Sequence, residues 1–177
     1  MKSDDEALAE AAGHGDRAAF AALLNRHYDR LFRLAWRLTG RRDLAEDLTQ
    51  EICAKLPRAL RNYRGEARFA TWLHRVALNA VRDAARREGA RNRATAAYAA
   101  EAGLHAGDDG AEAMAGWLAR AMAALKPDLA ETAALVVGEE LSQAEAAEIL
   151  GVAPGTIAWR MSEIKKALSA MAAAEVP

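Results

Sequence analysis

The chain has 177 residues, 52% of them hydrophobic and 6% aromatic, with four prolines, enough for one medium or two small domains with a real core. Abundant alanine without alternating Val/Ile/Thr runs points to an all-α protein, and the single Cys53 excludes an intramolecular disulfide and any Cys-rich zinc site. The formal net charge of -1 is uneven, with -3 over residues 1–15, +7 over residues 16–88 and -5 over residues 89–177, so the basic stretch suits a polyanionic or acidic partner, or else a solvated Arg-rich surface.

The N-terminal segment 1–15 is acidic and lacks an apolar signal core, and no stretch reaches the roughly 18 apolar residues of a membrane span. A cytoplasmic chain without membrane insertion is expected. The first helical run, "RAAFAALLNRHYDRLFRLAWRLTG", repeats Phe20, Leu23, Leu24, His27 or Tyr28, Leu31, Leu34 and Leu38 at helical steps. Gly40 supplies its stop. Asp43 is expected to cap a second helix, with Glu46 completing a capping box. That helix buries Leu44, Leu48, Ile52, Leu56 and Leu60, and Pro57 predicts a kink or an early end. "NYRGEAR" is a turn centred on Gly65, followed by a third helix from Phe69 to Gly89. From 89 to 112 the pattern dissolves into small and polar residues, with "HAGDDG" reading as a flexible linker.

Periodicity resumes with "MAGWLARAMAAL" and, after Pro127, "PDLAETAALVVGEE". Ser142 and Glu145 form a second capping box, Gly151 ends that helix, and Pro154 opens the last one. The expected organisation is an acidic segment (1–15), a helical domain (16–88), a linker (89–112) and a second helical domain (113–177) containing a helix-turn-helix. An ordinary helical hairpin shares this last pattern.

On the third helix, Phe69, Leu73, Val76, Ala77 and Ala80 form the inward stripe. Arg68, Thr71, Arg75, Asn79, Arg82 and Arg86 recur at steps of three and four on another face. Four guanidiniums with a Thr and an Asn can track phosphates and reach base edges, and Tyr63, Phe69 and Trp72 are rings on which unstacked bases stack. A solvated face with Trp72 in the core is the plainer alternative. In the last helix, Ile157, Met161, Ile164, Leu168 and Met171 face inward. At ~100° per residue, Trp159, Ser162, Glu163 and Lys166 point away from them. An exposed Trp marks an interface. Asp43, Glu46, Asp47, Gln50 and Glu51 form an acidic cluster without a nucleophile. His14, His27, His74 and His105 show no ligand spacing, and no phosphate loop or zinc motif is present. The residues therefore point to no enzyme, cofactor or metal.

"AEDLTQE", "YRGEARFATWLHRVALNAVRD" and "AEILGVAPGT", in this order and separated by a linker of this length, resemble the extracytoplasmic-function (ECF) sigma factors, promoter-specificity subunits of bacterial RNA polymerase. The likeness covers nearly the whole chain. It implies that Asp43, Glu46, Asp47, Gln50 and Glu51 dock on the clamp helices of the largest subunit of core polymerase. It implies that Arg64, Arg68, Phe69, Thr71, Trp72, Arg75, Asn79, Arg82 and Arg86 open and read the -10 element. Gly155, Thr156, Trp159, Arg160, Ser162, Glu163 and Lys166 would meet the -35 element, and an anti-sigma factor is an implied partner. Pro57 stands where the family often has a large aromatic. Ala158 and Trp159 replace a basic residue and a serine, and Glu163 replaces a later basic residue. About two phosphate contacts are lost and one repulsion is gained on that helix. A sigma-like protein that occupies an anti-sigma factor without reading DNA is the alternative, and a stand-alone helix-turn-helix repressor a weaker third.

Overall fold

The computed structural model describes residues 4–94 and 110–175, and every regular element among them is helical. A first lobe comprises α1 (Asp4–Gly13), α2 (Arg17–Thr39), α3 (Arg42–Leu60) and α4 (Phe69–Ala94). A second comprises α5 (Gly110–Ala124), α6 (Pro127–Ala133), α7 (Gln143–Leu150) and α8 (Pro154–Glu175). The helix expected to end at Gly89 runs on to Ala94. Most of "HAGDDG" lies outside the described residues.

The acidic N-terminal segment, expected only as a charged lead-in, folds as α1 and buries Ala9 and Ala12. Gly13 is needed at its end because a Cβ there would stand 2.8 Å from the Leu60 carbonyl oxygen of α3. Asp16 then caps α2, its carboxylate accepting from the N–H groups of Ala18 at 2.8 Å and Ala19 at 3.1 Å. His27, not Tyr28, takes the inward position on α2. Gly40 stops the helix in the left-handed conformation (φ 65°) that favours glycine, its N–H bonding to the Trp36 carbonyl.

Two expectations for α3 are corrected. Asp43 is not its N-cap: the helix starts at Arg42 after Arg41, without a side-chain cap. Asp43 instead pairs with Arg41 at 2.6 Å and Glu46 with Arg42 at 3.0 Å, because the neighbouring guanidiniums compete for both carboxylates. Pro57 does not end the helix, which continues to Leu60. So close to the C-terminus the ring forfeits a single backbone bond. Leu48, Ile52, Leu56 and Leu60 pack inward as the spacing predicts.

In the second lobe, Pro127 sits in the first turn of α6. Ala134–Gly138 then wind into a wider π-type turn, in which the Glu139 N–H bonds back to the Ala134 carbonyl at 3.0 Å. Glu140, a non-glycine at φ 55°, turns the chain toward α7. The Ser142–Glu145 capping box and the left-handed Gly151 stop both form. Ile157 and Ile164 of α8 are buried, Ile164 beside Leu125, Leu129 and Ala133.

The lobes pack on one another. Ala134, Leu135, Ala146, Ala147 and Ile149 of the second lobe belong to the same apolar cluster as Leu31, Leu34, Leu73, Ala77 and Leu78 of the first. At the edge of this seam Glu139, with 3% of its side chain exposed, meets Arg30 at 2.9 Å and Arg37 at 2.5 Å.

Candidate nucleic-acid interface

The turn between α3 and α4 carries the first candidate site. Gly65, at φ 69°, reverses the chain without Cβ strain. Tyr63 O–H donates to the Ala67 carbonyl at 2.8 Å and pins the far side of the turn. Tyr63 and Trp72 lie 5.2 Å apart by ring centroid, tilted by 53°. Phe69, 1% exposed, supports both from beneath, at 5.9 Å from Tyr63 and 5.8 Å from Trp72. Asn62, Tyr63, Arg64, Glu66, Trp72 and Arg75 line an open cleft of ≈ 380 Å³. Two half-buried rings beside two guanidiniums and an amide can stack a flat heterocycle, pair its phosphate and bond its edge.

Beneath this cleft lies a contact that sequence reasoning missed. Glu6 of α1 accepts the Phe69 N–H at 3.1 Å, satisfying a donor that would otherwise open α4 without a partner. Burial, then the negative charge of Glu6, push the Tyr63 hydroxyl above its ordinary pKa. On the same helix, Asp5 bonds Arg26 at 2.7 Å and His27 at 2.9 Å. Burial is the strongest single influence on the Asp5 carboxyl and opposes its charge, but the Arg26 and His27 bonds together outweigh it and lower the pKa. Acidic residues ahead of the first periodic helix were the available signal; their docking partners were not readable.

The structure divides the proposed -10 residues. Arg64, Arg68, Asn79 and Arg86 are exposed. Arg86 pairs with Asp83 on its own helix. Phe69 and Thr71 are interior, so neither presents a surface in this arrangement, although Arg68 and Asn79 share the helical face of Thr71. Arg75 and Arg82 are partly exposed and bonded to the second lobe. Arg75 Nη2 donates to the Glu148 carbonyl at 2.5 Å, and Arg82 makes a bidentate pair with Glu131, both bonds 2.6 Å long.

On α8, Trp159 stands 57% exposed, as its position opposite the buried stripe predicts. It lines an open cleft with Lys126, Asp128, Glu163 and Lys166. Ser162 and Gly155 are exposed and Thr156 is half-buried. Glu163 pairs with Lys166 at 2.8 Å. Arg160, which the resemblance places on the -35 face, turns back instead: its side chain is 14% exposed and lies 3.4 Å from Asp128. Asp128, in the first turn of α6, supplies an attraction that helical phase alone does not encode.

On α3, Asp43, Glu46, Asp47 and Gln50 are exposed, and Glu51 is half-buried. Glu51 bonds Lys55 and sits 3.2 Å from Arg87 of α4. The Lys55 bond, opposed by burial and aided by Arg87, lowers its pKa. A separate apolar groove of ≈ 310 Å³ runs between the lobes, where Trp36, Leu118 and Val137 are exposed and Arg33 and Arg37 stand on the rim. Among the described residues no cluster of His, Cys, Asp or Glu could hold a metal. No helix there is long and apolar enough to cross a membrane.

Two helical lobes, the second with a helix-turn-helix and the first with an aromatic and arginine-lined turn, define an all-helical protein of two packed lobes. The first lobe matches the family model "Sigma-70 region 2" over residues 23–91. Over 78 residues the chain is 44% identical to the ECF RNA polymerase sigma factor SigE of Mycolicibacterium smegmatis, covering 42% of this chain and 30% of that protein. Over 79 residues it is 37% identical to the ECF RNA polymerase sigma-E factor of Haemophilus influenzae, covering 45% and 41%. The matched stretch thus spans less than half the length of either relative. Among solved structures, CnrH in complex with the cytosolic domain of CnrY superposes with a TM-score of 0.73 at 26% identity, covering 98% of this chain and 99% of that one. The sigma factor RpoE of Bartonella quintana, solved with the anti-sigma factor NepR, shares the fold, with a TM-score of 0.74 at 24% identity over 88% of this chain and 98% of that one. Residues 23–91 thus match sigma-70 region 2, and this part of the chain is similar to the corresponding stretch of ECF sigma factors.

Proposed function

We propose that this chain directs RNA polymerase to promoters, the first lobe acting at the -10 element and the second at the -35 element. The observation that carries this reading is the cleft between α3 and α4. Tyr63 and Trp72 offer stacking faces, and Arg64, Arg75 and Asn62 surround the space a splayed base would enter. Arg68, Asn79, Arg82 and Arg86 continue the basic track along α4. Asp43, Glu46, Asp47, Gln50 and Glu51 give α3 an acidic face for the core enzyme. Gly155, Thr156, Trp159, Ser162, Glu163 and Lys166 form the -35 face, with Arg160 holding α8 against α6. No bond chemistry and no cofactor enter this role.

An anti-sigma factor is the proposed regulator. Its docking site is the apolar groove around Trp36, Leu118 and Val137, whose rim of Arg33 and Arg37 suits a helix with an apolar face and acidic flanks. The test of the main reading is transcription in vitro with core polymerase and purified chain on genomic fragments. Run-off products with discrete start sites are expected, and absence of both core binding and initiation overturns it. The alternative, a decoy that occupies an anti-sigma factor, draws support from Trp159 and Glu163 on the outward face of α8. It predicts that partner capture survives, and no initiation is seen, when Arg68 and Arg86 are changed to alanine.

A further inference from the structure

We infer that α1 is a positioning element for base capture, its Asp5, Glu6 and Gly13 fixing the two stems of the turn that carries Tyr63 and Trp72. The inference rests on the proposed -10 role of that cleft and gives the acidic N-terminal helix a part in promoter opening without contact with DNA. Tyr63 leads out of α3 and Trp72 lies one turn into α4, so the spacing of their rings depends on how the two stems are held. A binding site works only when its groups are kept within about 0.5 Å of the productive geometry. α1 reaches both stems. At its end Gly13 lies against the Leu60 carbonyl, where a Cβ would stand at 2.8 Å, and that carbonyl accepts the Tyr63 N–H at 3.1 Å. Glu6 accepts the Phe69 N–H, also at 3.1 Å and one turn before Trp72. From Glu6 to Gly13, α1 spans about 10 Å of unbroken helix.

Phe69 is held from two directions. Its N–H is capped from another element, which ties the start of α4 to α1. Its buried ring is met edge-on by His27, with centroids 5.2 Å apart and planes at 68°. Asp5 sets that imidazole: its Oδ2 accepts from His27 Nε2 at 2.9 Å, and its Oδ1 accepts from Arg26 at 2.7 Å. A carboxylate only accepts, so the imidazole proton stands on Nε2 and the bond orients the ring. Phe69 in turn touches both Tyr63 and Trp72. Ala9 and Ala12 are buried and seat α1 by apolar contact, so the helix stays docked when a single carboxylate is removed. The two acids act on the cleft through Phe69, and neither lines it.

The test uses the full chain bound to core polymerase and a labelled single-stranded oligonucleotide, read by fluorescence anisotropy at fixed salt. A second readout needs no DNA: acrylamide quenching of Trp72 in a chain with Trp36, Trp117 and Trp159 changed to phenylalanine. E6A is expected to bind about tenfold more weakly, within the range that one stacked base contributes, and to expose Trp72 to the quencher. D5A, which leaves the cap and frees His27, is expected to lose about threefold. E6Q keeps an acceptor oxygen and is expected to bind within about twofold of wild type. G40A strains the left-handed stop of α2, about 19 Å along the helix from His27. It is expected to bind as wild type and controls for a general loss of stability. Wild-type affinity and quenching in both E6A and D5A overturn the inference, as does a loss in G40A or E6Q equal to that in E6A. If the wild-type chain takes up neither core polymerase nor oligonucleotide, the promoter reading fails. Trp72 quenching then decides the positioning role alone: greater in E6A than in wild type upholds it, and equal quenching overturns it.

Discussion

Replacing Glu6 by alanine tests whether α1 is a working part of the nucleic-acid face. The Glu6 carboxylate accepts the Phe69 N–H at 3.1 Å from 63 positions away in sequence. It does the work of an N-cap from outside the helix it caps. Losing an N-cap acceptor costs about 0.5–2 kcal/mol. Phe69 is buried, so water replaces the lost acceptor poorly, which places E6A at the upper part of that range, about 1–2 kcal/mol. In E6Q the acceptor oxygen remains and the charge at the positive helix end is lost, a smaller cost of about 0.3–1 kcal/mol. Urea unfolding followed by Trp72 fluorescence, in a background with Trp36, Trp117 and Trp159 changed to phenylalanine, gives both numbers if the slope with denaturant is unchanged. Amide exchange should quicken at Phe69 and in the first turn of α4. Midpoints for E6A and wild type within about 0.3 kcal/mol, with unchanged exchange, refute the capping role.

Four further outcomes follow from the same contacts. Trp72→Ala, which removes a stacking face, is expected to weaken binding of a single-stranded -10 oligonucleotide by about 1–3 kcal/mol, measured by anisotropy with the polymerase-bound chain. Gly13→Ala, which drives a Cβ against the Leu60 carbonyl, should loosen α1 from α3 at a cost of about 1–3 kcal/mol, seen as faster amide exchange throughout α1. Burial opposes the charge of Glu139, but His74, Arg37 and Arg30 together hold its pKa below the ordinary 4.5. Its folded value is depressed, so its contribution to the packing of the lobes is full above the ordinary value and is lost as pH falls through the depressed one. Compaction by scattering should therefore fall on acidification, and E139Q should flatten that part of the curve. Trp159, 57% exposed, should be freely quenched by iodide in a variant where it is the sole tryptophan, and protected when DNA or a protein partner covers α8.

Helix placement was legible in the sequence where a local device fixes it. Gly40, the Ser142–Glu145 box, Gly151 and Pro154 all mark real boundaries. The inward stripes of α3 and α8 follow from spacing alone, as does the outward position of Trp159. What failed was competition between neighbours. Asp43 looked like a cap, but the helix starts one residue before it, and Arg41 and Arg42 pair with the two carboxylates. Arg160, assigned to the -35 face by resemblance alone, flanks the buried stripe and reaches Asp128. Thr71 has the phase of the arginine stripe, yet its short side chain is buried while Arg68 and Asn79 on the same stripe are exposed. Long-range partners were invisible for the same reason: nothing local links Glu6 to Phe69, Glu131 to Arg82 or Glu139 to Arg37. The charge asymmetry between the two halves did hold a hint, since a basic half needs an acidic partner and the chain carries one itself.

Permanganate footprinting of thymines at a start site mapped by run-off transcription tests the promoter-opening role most directly. With core polymerase and wild-type chain, thymines of the -10 element should become reactive, and with the W72A chain they should stay protected although core polymerase still binds. Thymines that remain unreactive with the wild-type chain, or react equally with W72A, would contradict base capture in the Tyr63–Trp72 cleft.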